Sequence, residues 1–164
     1  MRHPAILVAI GVIALAGAGC RQSDGPMPKE MTDTANRVDD LSRDLLAVAG
    51  GEATAVKDFT DDLQAFAESP KAVAAATKLG EQIAASVKGK KLTPETAHAL
   101  ARSSWIAVAA REYSHRQVEQ LQKDFETQLT SVGAPQPQVQ AVTASVAETQ
   151  AAITARSRRW YEVF

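Results

Sequence analysis

The chain has 164 residues, of which 45% are hydrophobic, 23% charged and 5% aromatic, with a formal net charge of -1 and a single cysteine. That length suits one domain with a core of its own. One cysteine excludes a disulfide framework, and near-neutral charge without a basic stripe interleaved with aromatics excludes a nucleic-acid-binding surface.

The first element is an apolar segment. Met1-Arg2-His3 supplies a cationic start, and the 16 positions from Pro4 to Gly19 follow without a charge, three of them glycine. A helix needs about 20 apolar residues to cross about 30 Å of hydrocarbon, so residues 1–19 read as a secretory signal peptide rather than a permanent span. The segment ends in Ala18-Gly19-Cys20, which places the sole cysteine directly after small residues.

That ending resembles the lipobox of bacterial lipoproteins, with Gly17 at the position where the family usually carries an aliphatic residue. The resemblance covers the first 20 residues. It implies cleavage before Cys20, a diacylglyceryl group on the Cys20 sulfur, and usually an acyl chain on the new amino terminus. One acyl chain binds a membrane reversibly, whereas two or more anchor stably. Arg21, where inner-membrane retention uses Asp, implies the periplasmic leaflet of the outer membrane. The alternative is an ordinary signal cut near Ala16 or Ala18, which leaves Cys20 as a free thiol in an oxidising compartment.

Residues 20–28 form the next unit. Arg21 to Pro28 hold two prolines, a glycine and small polar groups, too little apolar surface to order themselves. They read as a flexible tether with a reach of ~25 Å at roughly 3.1 to 3.4 Å per residue.

From Lys29 to Phe164 the apolar residues recur every three or four positions, the period of an amphipathic helix. Met31, Ala35, Val38, Leu41, Leu45 and Val48 form a first stripe, closed by Gly50-Gly51. Val56, Phe59, Leu63 and Phe66 form a second. Ser69-Pro70 then gives a cap followed by proline, the pairing of a helix start, and Val73, Ala76, Gly80, Ile83 and Val87 continue it. Thr93-Pro94-Glu95 repeats the signal ahead of Ala97, Leu100, Ser104, Trp105 and Val108. Ser114 and Gln117 stand at capping-box spacing, so 94–132 is either one long helix or two, the second carrying Val118, Leu121, Phe125, Leu129 and Val132. A heptad of Val139, Val142, Val146, Thr149, Ile153, Arg156 and Trp160 closes the chain.

No segment alternates with period two. The expected fold is therefore all-α, a single bundle of five or six antiparallel amphipathic helices over residues 29–164. Charge divides unevenly along it. Residues 30–68 hold 10 acidic and 3 basic groups, a net of -7, and residues 69–164 hold 8 and 12, a net of +4. Complementary packing of the first two helices on the rest accounts for this split. An acidic face offered to a cationic partner, or self-association of unlike faces, are the functional readings.

Chemistry is sparse. Glu95-x-x-His98 and Glu112-x-x-His115 each place a carboxylate and an imidazole on one side of a helix, the element from which di-iron bundles are built. In those bundles the two motifs sit on separate, distant helices; here they begin 17 positions apart (112 - 95). Glycine-rich phosphate loops, Gly-x-Ser-x-Gly elbows and His-Glu-x-x-His signatures do not occur. Neither catalysis nor a cofactor is expected. Near the carboxyl end, Arg159, Trp160, Tyr161 and Phe164 belong to the residue types that dominate binding hot spots, although arginines there also suit the helix dipole.

The sequence thus leads to a membrane-anchored periplasmic lipoprotein, held by lipid on Cys20, whose helical body serves as a non-enzymatic interaction or scaffold module for a protein partner. The competing expectation is a carrier that holds a metal or small ligand between helices, with His98, Glu112 and His115 as candidate ligands.

Overall fold

The computed structural model describes residues 29–110 and 113–161, with side chains from 33 to 110 and from 113 to 155. Residues 1–28, with the signal segment, Cys20 and the tether, lie outside the described residues, as do Glu112 and Phe164. The described chain is an all-α bundle of six helices: α1 (Lys29–Gly50), α2 (Ala55–Gln64), α3 (Pro70–Val87), α4 (Pro94–Ala109), α5 (His115–Ser131) and α6 (Gln136–Tyr161).

Local chemistry sets the boundaries. The Ser69 hydroxyl accepts the Ala72 N–H at 3.2 Å ahead of α3, and Thr93 accepts the Thr96 N–H at 3.2 Å ahead of α4. At Ser114 the capping box closes in both directions. Its hydroxyl accepts the Gln117 N–H at 3.4 Å, and Gln117 Oε1 accepts the Ser114 N–H at 2.9 Å. Those bonds satisfy donors that an opening helix leaves without partners, and the segment 94–132 is accordingly two helices rather than one. Gly51 and Gly133, at φ +87° and +72°, turn the chain out of α1 and α5 through a conformation that a β-carbon would strain.

Side-chain pairs fix how the helices run. Gln64 Nε2 donates to Thr77 Oγ1 at 3.0 Å between α2 and α3. Lys78 meets Glu148 at 2.7 Å, and Ser145 donates to Gln82 Oε1, so α3 and α6 are antiparallel. The Gly89 N–H donates to the Ala49 carbonyl at 3.2 Å and His98 lies 3.6 Å from Asp39, which sets α4 antiparallel to α1. Six alternating helices bring the start of α1 and the end of α6 to the same end of the bundle. The turns at 51–54, 88–93 and 132–135 occupy the other end.

The core between these helices is aliphatic with two phenylalanines. Leu41, Leu45, Phe59, Leu63, Leu79, Ile83, Leu100, Phe125, Leu129, Val142 and Val146 are all fully buried, each contributing about 2 kcal/mol of transfer free energy. The stripes hold with shifted edges. Ala35 is exposed, so among the described side chains the α1 stripe begins at Val38, with Met31 outside them, while Val56, Phe66, Val73, Trp105, Val118 and Val132 are only half-buried. Small residues let backbones close in: Ala72, Ala76 and Ala107 are buried, and a β-carbon on Gly80 would sit 3.2 Å from Thr60 Oγ1.

Candidate functional site

Two of the half-buried aromatics meet. Phe66 lies just beyond the end of α2, where its N–H donates to the Leu63 carbonyl at 3.3 Å as the chain turns toward α3. Trp105 stands on α4 at the edge of its buried stripe, next to fully buried Ser104. Their rings touch edge-on, with centroids 6.3 Å apart and planes at 72°. The Arg37 guanidinium, from the solvent side of α1, lies 5.5 Å from the Phe66 ring centroid. A cation over an aromatic face at that distance is attracted by the ring quadrupole. Arg37, Phe66 and Trp105 thus form a semi-exposed cluster drawn from three elements.

A group of carboxylates adjoins it through Asp62, which feels the charge of Arg37. Asp44 is pushed up from the ordinary 3.8 to about 6, first by burial and then by the negative charges of Asp62, Asp58 and Asp40. Asp62 is raised as well, again by burial first and then by Asp40 and Asp58, with Arg37 opposing. Some α1 and α2 charge is compensated locally: Arg43 pairs with Asp40 at 3.0 Å, and Lys57 pairs with Asp61. The pairing of Asp39 with His98 reaches a second helix. Four carboxylates nonetheless face one another across α1 and α2, so complementary packing accounts for only part of the charge split.

The histidines are placed apart. His98, in the second turn of α4, has its side chain half-exposed beside Asp39. His115 opens α5 with its side chain 90% exposed, 3.0 Å from Glu119. Glu95, the partner expected for His98, is instead held below the usual carboxylate range by its own backbone N–H and by the Thr93 hydroxyl. Among the described residues no group of three or more histidine, cysteine, aspartate or glutamate side chains is arranged to hold a metal ion. Nor is any described helix long and apolar enough to cross a membrane.

Arg159, Trp160 and Tyr161 fall on the last turn of α6, and their side chains lie outside the described set. Apolar spacing places Phe66 and Trp105 in core stripes, and nothing in the sequence marks Arg37. The available signal was scarcity: two large aromatics at stripe edges in a chain with only 5% aromatic residues. Their juxtaposition across 39 positions (105 - 66) has no local signature.

The bundle and its mixed aromatic and acidic surface define an all-α class of body without a further assignment by likeness. No family model, no curated protein and no solved structure matches the chain.

Proposed function

We propose that the protein is a lipid-anchored periplasmic scaffold, tethered through an acylated Cys20, whose helical body binds a protein partner and carries out no catalysis. The periplasmic leaflet of the outer membrane is its site, on the ground of Arg21 after the anchor. The contact surface is the cluster of Arg37, Phe66 and Trp105 with the neighbouring carboxylates. The observation that carries this reading is the joining of an arginine and two aromatics, the residue types that anchor interfaces, at a semi-exposed position on the bundle. The partner's matching surface is apolar where it meets the aromatic pair and cationic to one side, where Asp62, within electrostatic reach of Arg37, groups with Asp40, Asp44 and Asp58.

Site-specific photo-crosslinking in intact envelopes tests both halves. A photoreactive residue at Asp62 should trap one defined protein, and the adduct should fall at least fivefold when Trp105→Ala and Arg37→Ala are combined. An adduct of equal yield in the variant, or crosslinks scattered over unrelated proteins, contradicts the reading. Metabolic labelling with palmitate should mark the wild-type chain and not Cys20→Ser. Equal labelling of both contradicts the anchor.

A further inference from the structure

The turn between α3 and α4 carries positive charge that the fold leaves unused. It reads Lys88-Gly89-Lys90-Lys91-Leu92, three lysines and no carboxylate. Gly89 takes the left-handed conformation at φ +69°, where a side chain would be strained. Its N–H donates to the Ala49 carbonyl at 3.2 Å, and the Lys90 N–H donates to the Val87 carbonyl at 2.9 Å. These bonds fix the turn to the ends of α1 and α3, so it cannot fold back over the surface. Lys88 and Lys91 are exposed, and Lys90 and Leu92 are half-buried. Among the described residues none of the three ammonium groups pairs with a carboxylate, Glu52 and Glu95 at the same end included. Opposite charge is left over on the flank of the bundle. Asp58 and Asp62 stand one turn apart on α2, both exposed, and half-buried Phe66 follows four positions on. The cations that act on Asp44 and Asp62 are Arg43 and Arg37, while the neighbouring aspartates push the other way. The lysines of the turn are not among them, so the two charged surfaces do not neutralise each other within one molecule.

We propose that the partner of the Arg37, Phe66 and Trp105 surface is a second copy of this chain, which seats its 88–92 turn there, with the lysines toward Asp58 and Asp62 and Leu92 toward the aromatic pair. This rests on the contact surface given above and names its occupant. The turn supplies both parts of the chemistry that the surface asks for, cations and an adjoining apolar side chain, and the lysine stems add apolar length that can lie along a ring. A chain with a formal net charge of -1 has little overall repulsion to keep copies apart, and segregated charges of unlike sign make the attraction directional. The turn and the aromatic cluster occupy different places on one molecule, so the contact is heterologous. Each copy then leaves one surface of each kind open and can add a further copy.

Photo-crosslinking of the full chain in intact envelopes, with the photoreactive residue moved to Lys91, tests this. The probe should give adducts at twice the chain mass and above, with the second peptide mapping to residues 37–66. Lys88→Glu together with Lys90→Glu in the probed copy should lower the yield about tenfold or more, because like charges then face each other. Co-expression with a differently tagged copy carrying Asp58→Lys and Asp62→Lys should bring the same probed copy back to within about twofold of the wild-type yield, since the two reversals compensate only if the groups meet. That recovery also shows the Glu variant to be folded. A yield unchanged by the two Glu substitutions, or no recovery in the swapped pair, overturns the pairing of the turn with α2. A probe at Asp62 distinguishes the second copy from any other occupant. A defined adduct there with a different protein overturns the second copy and leaves the contact surface in place. No defined adduct at Asp62 removes the contact surface and the second copy's seat with it.

Discussion

Gln150 Nε2 donates to the carbonyl oxygen of Ala107 across 2.7 Å, binding the middle of α6 to the last turn of α4. Carbonyls in a closing turn lose their intrahelical partners, so this side chain from another helix completes the end of α4. Gln150 is 3% exposed, and its Oε1 is buried without a partner in the protein. Gln150→Ala should cost about 3 kcal/mol, by cavity formation and an unpaired buried carbonyl. Gln150→Met fills the space and removes the unpaired oxygen, and should cost about 1 kcal/mol. Urea denaturation of both variants checks the order; equal losses would contradict it.

The crossing of α2 and α3 depends on the absence of a side chain at Gly80. A β-carbon there would lie 3.2 Å from Thr60 Oγ1 and 3.4 Å from Thr60 Cα, and the Thr60 hydroxyl is already committed to the Val56 carbonyl at 2.7 Å. Backbone cannot retreat as a flexible side chain can. Gly80→Val should lower stability by about 2 kcal/mol through overpacking, despite removing a glycine from a helix interior. A thermal melt at or above the wild-type midpoint would show that the two helices separate freely.

Asp44 ties stability to pH. Its folded value of about 6 stands above the ordinary 3.8, so the folded chain holds this proton more tightly than the unfolded chain. The resulting stabilisation is fully present below about pH 3.8 and is lost as pH rises through 6. For a fully buried group that displacement corresponds to about 3 kcal/mol; at this half-buried site solvent screening leaves about 1 kcal/mol. Asp44→Asn should therefore stabilise the protein by about 1 kcal/mol at pH 7.5 and by nothing measurable near pH 3.5. Chemical denaturation at the two pH values reads the difference directly, and a constant effect at both would contradict the origin assigned to the shift.

How far the sequence carries depends on the range of each interaction. Ser69-Pro70, Thr93-Pro94 and the Ser114 and Gln117 pair act within one turn, and each starts a helix where its local chemistry places it. Spacing alone left the segment 94–132 open between one helix and two; the closed capping box decides it. Ser114→Ala should cost about 1 kcal/mol, measurable by urea titration, as for other caps. Periodicity located most of the core but not its limits. Leu79 is fully buried although it stands outside the α3 stripe read from Val73, Ala76, Gly80, Ile83 and Val87, because α3 is covered by both α2 and α6 and so buries a wider face.

Contacts distant in sequence were not legible. Gln150 with Ala107 joins residues 43 positions apart, and Ser145 with Gln82 joins residues 63 apart; a polar residue on a helix gives no sign of such a partner. The same holds for Arg37, Phe66 and Trp105. Their meeting depends on the register of α1 against α4, which is a property of the packed bundle.

The fate of Cys20 decides whether the helical body is held at a membrane. Intact-mass analysis of the protein purified from its native envelope, with fragment sequencing of the amino-terminal peptide, measures this directly. The predicted product begins at Cys20 and carries the mass of a diacylglyceryl group, with or without a further amide-linked acyl chain. A product that retains residues 1–19, or one that begins near Cys20 with no fatty acid attached, would contradict the account.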